Sequence, residues 1–357
     1  MDNPSNTMSA KNLKQLYIIA IAIIAIIVIA SVGTALYYQG QNNNPTPTPS
    51  PIATPTSTPT PSPTASPSAL PVTLIDDYNN TLTITAYPQR IVSLAPSNTQ
   101  VLFAVGAGAN VVGVTDYDKY PYNFSAWIEA GNMSSIGNYY QPPIEPIVDL
   151  HPDLILASLG NFDAADQLRG LGYNVLTLNP TGLNSIMQNM LTVGKATGHE
   201  AQAESAVASM QQRIDIVVNG VKNATTRPTV YHEIWSDPYM SVGKGTFVDE
   251  VIKLAGGQNI FENATTAYPI ISSEAIIAEN PDIIVFPTQM GVESFWGTYT
   301  DVANRPGWNT ISAVANHKMY TVSGDIIDEP GPRQVDSLEI LAKIIHPEIF
   351  GTYIDTP

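Results

Sequence analysis

Tyrosine and tryptophan gather in this sequence where β-branched runs end. Tyr117, Tyr120 and Tyr122 follow VVGVT, Tyr139 and Tyr140 follow the next glycine, Trp235 and Tyr239 follow TVYHEI, and Phe295 and Trp296 follow DIIVFPT. In open α/β sheets the residues just beyond the carboxyl ends of the strands face the ligand. Aromatic rings there offer large apolar faces with polar tips. The chemistry is that of holding a large, flat, partly apolar molecule, against the plainer reading that loop aromatics cover the core. The candidate contacts are Tyr117, Tyr139, Tyr140, Trp235, Tyr239, Tyr268 and Trp296, with Arg333 of PGPR as the main base near a cleft.

Reactive constellations are missing. There is no cysteine, which removes disulfides, thiolate metal sites, a cysteine nucleophile and lipid attachment through an N-terminal cysteine. His151, His199, His232, His317 and His346 are isolated, and no H-E-x-x-H, G-x-S-x-G or phosphate loop ending in G-K-[ST] occurs. Gly106, Gly108 and Gly113 are spaced wrongly for a dinucleotide fingerprint, and helix termination before a turn accounts for them better. His232-Glu233 lacks a second histidine one helical turn on, so a core or rim histidine is expected rather than a ligand. Neither an enzyme nor a resident cofactor or metal is indicated.

The elements that must position the aromatics come next. From Val72 onward, RIVSLAPS, VVGVT, DLILAS, NVLTLNP, TVYHEIW, DIIVFPT and KMYTVSG alternate with helical patterns, which predicts an α/β protein with largely parallel sheets. In the middle, Ala203, Ala206, Val207, Met210, Ile214 and Val217 recur at three-and-four spacing, predicting one long amphipathic helix. On either side stand similar phrases, Glu145-Pro-Ile-Val-Asp-Leu-His-Pro-Asp153 and Glu274-Ala-Ile-Ile-Ala-Glu-Asn-Pro-Asp282, each followed by a buried-looking strand. Two related lobes, 72–198 and 226–357, joined by a helix over 199–225, are the economical reading, with a cleft between them.

The body is strongly acidic. Formal charge is −16, and setting aside Asp2, Lys11 and Lys14 leaves 30 acids against 13 bases, or −17. Such a surface repels phosphate backbones and excludes nucleic acid as a partner. Leu16–Tyr38 carries no charge and is long enough to cross a hydrocarbon core of roughly 30 Å. It reads as a transmembrane anchor, with a cleaved signal peptide as the rival reading. Lys11 and Lys14 precede it, so residues 1–15 are expected in the cytoplasm and the body outside. Residues 39–71, rich in Pro, Thr and Ser, read as a disordered and glycosylated stalk. Sequons at Asn79, Asn123, Asn132, Asn223 and Asn263 suit an exported glycoprotein.

RIVSLAPSNTQVLFAVGAGANVVGVTDYDKYP, IEPIVDLHPDLILAS, VGKGTFVDEVIKLAGGQNIF, ISSEAIIAENPDIIVF, RPGWNTISAVANHKMYTV and PGPRQVDSLEILAKIIHPE resemble, in order and over roughly residues 90–350, the cobalamin and ferric-siderophore binding proteins of ATP-driven importers. The resemblance implies two α/β lobes, one connecting helix and a ligand held between them. It also implies delivery to a membrane permease driven by an ATPase. It gives Glu145 and Glu274 a role, as the surface glutamates that meet the permease. The ligand implied first is a corrinoid, neutral and large, carrying cobalt. A ferric siderophore, met by Arg333, Lys244 and Lys119, comes second, and haem, with Tyr117, Tyr140 or His232 on the iron, third. The loop Tyr139-Tyr140-Gln141-Pro142 departs from the tryptophan-bearing stretch of the cobalamin binder, and no lipid-bearing cysteine is present. A structural or adhesive surface protein is the class outside transport.

Overall fold

The computed structural model describes residues 69–288 and 299–354. The expected anchor at Leu16–Tyr38, nearly all of the stalk, and Trp296 lie outside the described residues. No helix of the described residues is long and apolar enough to cross a membrane.

The chain enters through an antiparallel hairpin, β1 (Val72–Ile75) and β2 (Thr81–Ile84), whose alternate residues are buried. Its turn is tied down by Asp76, which accepts from the Tyr78 and Asn80 amides and holds Arg169 at 2.9 Å. Then follow β3 (Ile91–Ser93), β4 (Val111–Val114), β5 (Ser134–Ser135), β6 (Leu154–Ser158) and β7 (Val175–Leu178). They form an all-parallel sheet in the order β5-β4-β3-β6-β7. The second lobe holds β8 (Thr229–Ser236), β9 (Tyr239–Ser241), β10 (Gln258–Asn259), β11 (Ile283–Thr288) and β12 (Met319–Ser323). Its parallel order is β10-β8-β11-β12, with β9 antiparallel on β8.

The continuous apolar runs make sense once both faces of each sheet are covered. In the first lobe Ile91, Leu154, Leu156, Leu176 and Leu178 face a core that runs through both lobes, whereas Val92, Ile155, Ala157 and Val175 face an outer cluster. In the second, Val230, Ile283 and Val285 join the shared core, and Tyr231, Ile284 and Phe286 face a separate one. The lobes are therefore fused at their base by common apolar packing.

The joining helix spans Glu200–Val221 and buries Ala203, Met210, Ile214 and Val217. It crosses the preceding helix, Leu183–Thr197, closely enough that a methyl on Gly194 would sit 2.4 Å from the Ala203 methyl. Between the two helices Gly198 supplies the left-handed turn, at φ +74°. From the long helix Arg213 reaches Asp336 and Glu339, at 2.6 to 2.8 Å, on the helix Gln334–Ile345 of the second lobe.

The two lobes repeat one topology. Setting aside the short β5 and the antiparallel β9, the first strand (β3 or β8) has the next parallel strand (β4 or β10) on one side and the last two (β6 and β7, or β11 and β12) on the other. Chain order reverses between β3 and β6 in one lobe and between β8 and β11 in the other, and such switch points are where open α/β sheets bind ligands.

Candidate functional site

Four strand ends of the first lobe converge. After β3, Leu94 and Ala95 lead into the helix Pro96–Ala104, which carries Gln100. After β4, the loop holding Tyr117 and Tyr120 is shaped by Asp118, whose Oδ2 accepts from the Thr115 amide at 2.8 Å and its hydroxyl at 2.5 Å. Asp118 is buried, and burial lifts its carboxyl to about 6 although hydrogen bonds from Thr115 and Thr99 oppose the rise. After β5 come Tyr139 and Tyr140, both exposed, with Tyr139 edge-on to Tyr117 at 5.3 Å. After β6, Leu159 stands 60 % exposed beside them.

Asn161 knits these ends together. Its Oδ1 accepts from the Ser158 amide at 2.7 Å, and its Nδ2 donates to the carbonyl oxygens of Leu94 at 2.7 Å and Tyr139 at 3.3 Å. The residue is 2 % exposed, so these bonds lie out of water. Sequence reasoning passed over Asn161, because a single polar residue in a turn after a strand carries no periodic signal.

The second lobe presents the β8–β9 hairpin, where the Trp235 indole nitrogen donates to the Asp237 carbonyl at 2.9 Å. Tyr268 and Ile270 stand exposed just before the helix Ser273–Glu279, and the Ile271 amide bonds the Tyr239 carbonyl of the hairpin. The Tyr268 phenol is pushed up by burial and then by Asp328. Tyr239 turns inward: its ring packs 5.6 Å from Trp308, and the Arg305 guanidinium lies 5.2 Å from its centroid. That guanidinium grips the fully buried Glu233 through two bonds, 2.7 and 2.9 Å.

His232 corrects the third ligand reading. It is fully buried, and Nε2 is engaged by Asp328 Oδ1 at 2.8 Å, so the imidazole is not presented to an iron in the cleft. Among the described residues no cluster of three or more metal-ligating side chains forms.

The lobes meet over the carboxyl ends of β3 and β4. Gln100, Tyr117, Lys119 and Tyr120 line a cavity with Asp325, on the short helix Gly324–Ile327 that follows β12, and Glu329 just beyond it. Gln100 Nε2 donates across the junction to Glu329 Oε2 at 2.5 Å. Beside this bond the Arg333 guanidinium covers the Tyr120 ring at 4.4 Å, a cation–π contact between lobes. Gly331 comes so close that a methyl there would lie 2.6 Å from Gln100 Oε1. Glu329 is raised to about 8, first by burial and then by Asp325 and Asp118, with Arg333 and Lys119 pulling the other way. The space between the lining residues is about 10 Å³, room for about one water and far smaller than the roughly 300–1,000 Å³ of typical ligand pockets. It is a narrow crevice at the junction of the lobes, the floor of the cleft.

Glu145 and Glu274 fall at matching places. Each lies exposed in the first turn of a short helix, Ile144–Asp149 leading into β6 and Ser273–Glu279 leading into β11. Such a helix runs back antiparallel to the strands and starts at their carboxyl ends, so both glutamates lie toward the cleft side. Ser272 caps the second helix by accepting from the Ala275 amide at 3.2 Å. The Glu274 carboxyl is held low by its own backbone N–H and by Ser272.

Tyr117, Tyr139 and Tyr140 are thus brought together in one lobe, and Trp235, Tyr268 and Arg333 stand on the other. Tyr239 serves the core of the second lobe. Lys244 is exposed beyond β9. Two α/β lobes with opposed strand ends and a cleft floor between them define a ligand-binding protein of the two-lobed class. The chain belongs to the periplasmic binding protein family, whose pattern matches residues 91–325. Family and relatives are solute-binding proteins of ABC importers rather than enzymes. An uncharacterized ABC transporter substrate-binding lipoprotein of Bacillus subtilis is 33 % identical over 78 % of this chain and 87 % of its own. A cobalamin-binding protein of Halobacterium salinarum is 30 % identical over 77 % and 74 %. A solved structure described as a possible iron-binding, periplasmic solute-binding protein of Staphylococcus epidermidis superposes with TM-score 0.63 at 28 % identity, covering 73 % of this chain and all of that one.

Proposed function

We propose that this protein is the extracellular receptor of an ATP-driven importer and that it captures a corrinoid between its lobes for delivery to a membrane permease. The observation that carries the reading is a pair of apolar lips on opposed strand ends. Tyr139, Tyr140 and Leu159 on one lobe are 40, 60 and 60 % exposed, and Tyr268 and Ile270 on the other are 49 and 67 % exposed. Single exposed apolar residues are ordinary, but several at a switch point between two lobes suit a macrocycle with apolar faces. The name of the Halobacterium salinarum relative points the same way.

Leu16–Tyr38 retains the body outside the cell as a single-pass anchor, with 39–71 as its stalk. All five sequon asparagines lie exposed on the body, as glycosylation there requires.

The test is the visible absorption spectrum of the protein purified from its own cells, followed by titration with cyanocobalamin. Corrinoid bands and stoichiometric binding support the proposal. A haem or ferric-siderophore spectrum, with no affinity for cyanocobalamin, replaces it with the iron reading that the Staphylococcus epidermidis neighbour's description suggests, in which the exposed Tyr140 phenol is a candidate iron ligand.

A further inference from the structure

The cleft floor is rich in carboxyl and amide oxygen, and this deepens the corrinoid reading, on which it rests. We propose that Gln100, Asp325 and Glu329 form a specificity subsite that accepts neutral, N–H-bearing or cationic edges of a metal chelate and turns away edges bearing carboxylates or catecholates.

Three observations meet here. First, carboxyl groups outnumber available bases: Asp325 and Glu329 line the floor and Asp118 is buried behind it, against Lys119 and Arg333. Arg333 is already engaged, its guanidinium lying over Tyr120 and its Nε 3.6 Å from Asp336. Second, an acceptor on this floor, Gln100 Oε1, and one behind it, Asp118 Oδ1, are buried without a hydrogen-bond partner, whereas Gln100 Nε2 is spent on Glu329. A ligand edge of primary carboxamides, such as a corrinoid carries, brings the missing N–H donors; a carboxylate edge brings only more acceptors. Third, the floor resists negative charge. Burial, Asp325 and Asp118 together drive the Glu329 carboxyl to hold its proton near neutral pH despite Arg333 and Lys119. A ligand anion placed there meets the same desolvation and the same neighbours. Negative selection of this kind is as much a part of specificity as attraction.

The groups facing Glu329 are Asp118 and Lys119 from the β4 loop, Gln100 from the helix after β3, Tyr139 from the β5 loop, and Asp325 and Arg333 from its own segment. Of these, Asp118 and Glu329 titrate between pH 5 and 9. As pH rises through that range the floor gains negative charge, so an anionic ligand binds more weakly while a neutral one is much less affected.

The test compares cyanocobalamin with a ferric tris-catecholate complex, neutral and trianionic respectively, by titration calorimetry from pH 6 to 9. The full-length wild type is set beside the D325N/E329Q variant. In the wild type the tris-catecholate should bind at least about 100-fold more weakly than cyanocobalamin, and more weakly still at pH 9 than at pH 6. In the variant the ratio of the two affinities should narrow by at least about tenfold, and the pH dependence of anion binding should flatten. If the double variant does not fold, D325N alone, altering a half-exposed residue, should narrow the ratio by about threefold. A ratio that does not move in either variant, or anion binding flat with pH in the wild type, overturns the subsite and leaves the corrinoid reading intact. A wild type that binds the tris-catecholate and not cyanocobalamin overturns both.

Discussion

Arg305→Met removes one partner of a deeply buried ion pair in the second lobe. Glu233 is fully buried and its two oxygens are held by the Arg305 guanidinium, whose side chain is 13 % exposed. The remaining contact is the Tyr231 hydroxyl, which donates to Oε2 at 3.1 Å. Removing one partner of a buried pair costs about 3–5 kcal/mol because the other charge is left uncompensated. The guanidinium also lies 4.5 Å from the Trp308 ring centroid, and losing that contact adds about 0.5–2 kcal/mol. The variant should therefore lose about 3.5–7 kcal/mol at pH 7.5, measured by urea unfolding followed by circular dichroism. The pH dependence has a definite sign. Burial already raises the Glu233 carboxyl above its ordinary value, and Arg305 is the main influence holding it down. Without Arg305 it rises further, so the folded variant takes up a proton at higher pH than the wild type or the unfolded chain. A group whose folded value is raised costs stability above that value and regains it as pH falls toward the unfolded one. The deficit should then shrink between pH 7.5 and 5, by up to about 1.4 kcal/mol per unit. Removing both charges in E233Q/R305M should recover most of it. A single variant within about 1 kcal/mol of wild type, or a deficit that does not change with pH, would refute this account of the pair.

Asn161→Ala should cost about 2–6 kcal/mol, since it leaves the Ser158 amide and the Leu94 carbonyl without their Asn161 partner, at about 1–3 kcal/mol each. The same urea titration checks it, and the released Tyr139–Leu159 lip should weaken ligand binding in calorimetry. Glu145→Ala with Glu274→Ala should leave ligand affinity within about twofold of wild type but slow uptake by at least about tenfold, because each lobe loses a charged contact with the permease. Radiolabelled ligand uptake into cells decides it: normal transport reduces both glutamates to ordinary helix-start residues, and lost ligand binding moves them into the cleft.

The parallel strands were legible because each is buried on both faces and so reads as an unbroken apolar run. DLILAS became β6, NVLTLNP became β7 and DIIVFPT became β11. The edge strands were not. β5 is only Ser134–Ser135 and β10 only Gln258–Asn259, too short and too polar to show a period of two. The aromatic residues were found but not sorted. Tyr139 and Tyr239 both follow strands, yet one is exposed on the cleft side and the other packs on Trp308, a difference set by the hairpin that turns Tyr239 back along β8. Least legible were the contacts that assemble the floor. Gln100 and Glu329 stand 229 positions apart, and Glu233 and Arg305 are 72 apart. No local pattern couples such pairs; only the sheet order, which places β12 beside β11 and brings the segment after it to the carboxyl ends of β3 and β4, puts them in reach.

The repeat of topology explains why the glutamates come as a pair. In both lobes the strand beyond the switch point, β6 or β11, must be reached by a crossover from the carboxyl end of the sheet, and the helix that makes it starts on the cleft side. A surface residue in the first turn of that helix therefore recurs once per lobe at equivalent positions without further design. The shared apolar core, which includes Leu156 and Val193 from one side and Val230 and Leu338 from the other, joins the two lobes into one body. Two contacts fix the orientation of a rigid body on a docking partner in a way that one cannot, and they do so with the cleft between them. The aromatic lips proposed as the ligand's walls lie on the same side of the molecule that carries the glutamates, so a partner seated on both would face the cleft opening directly.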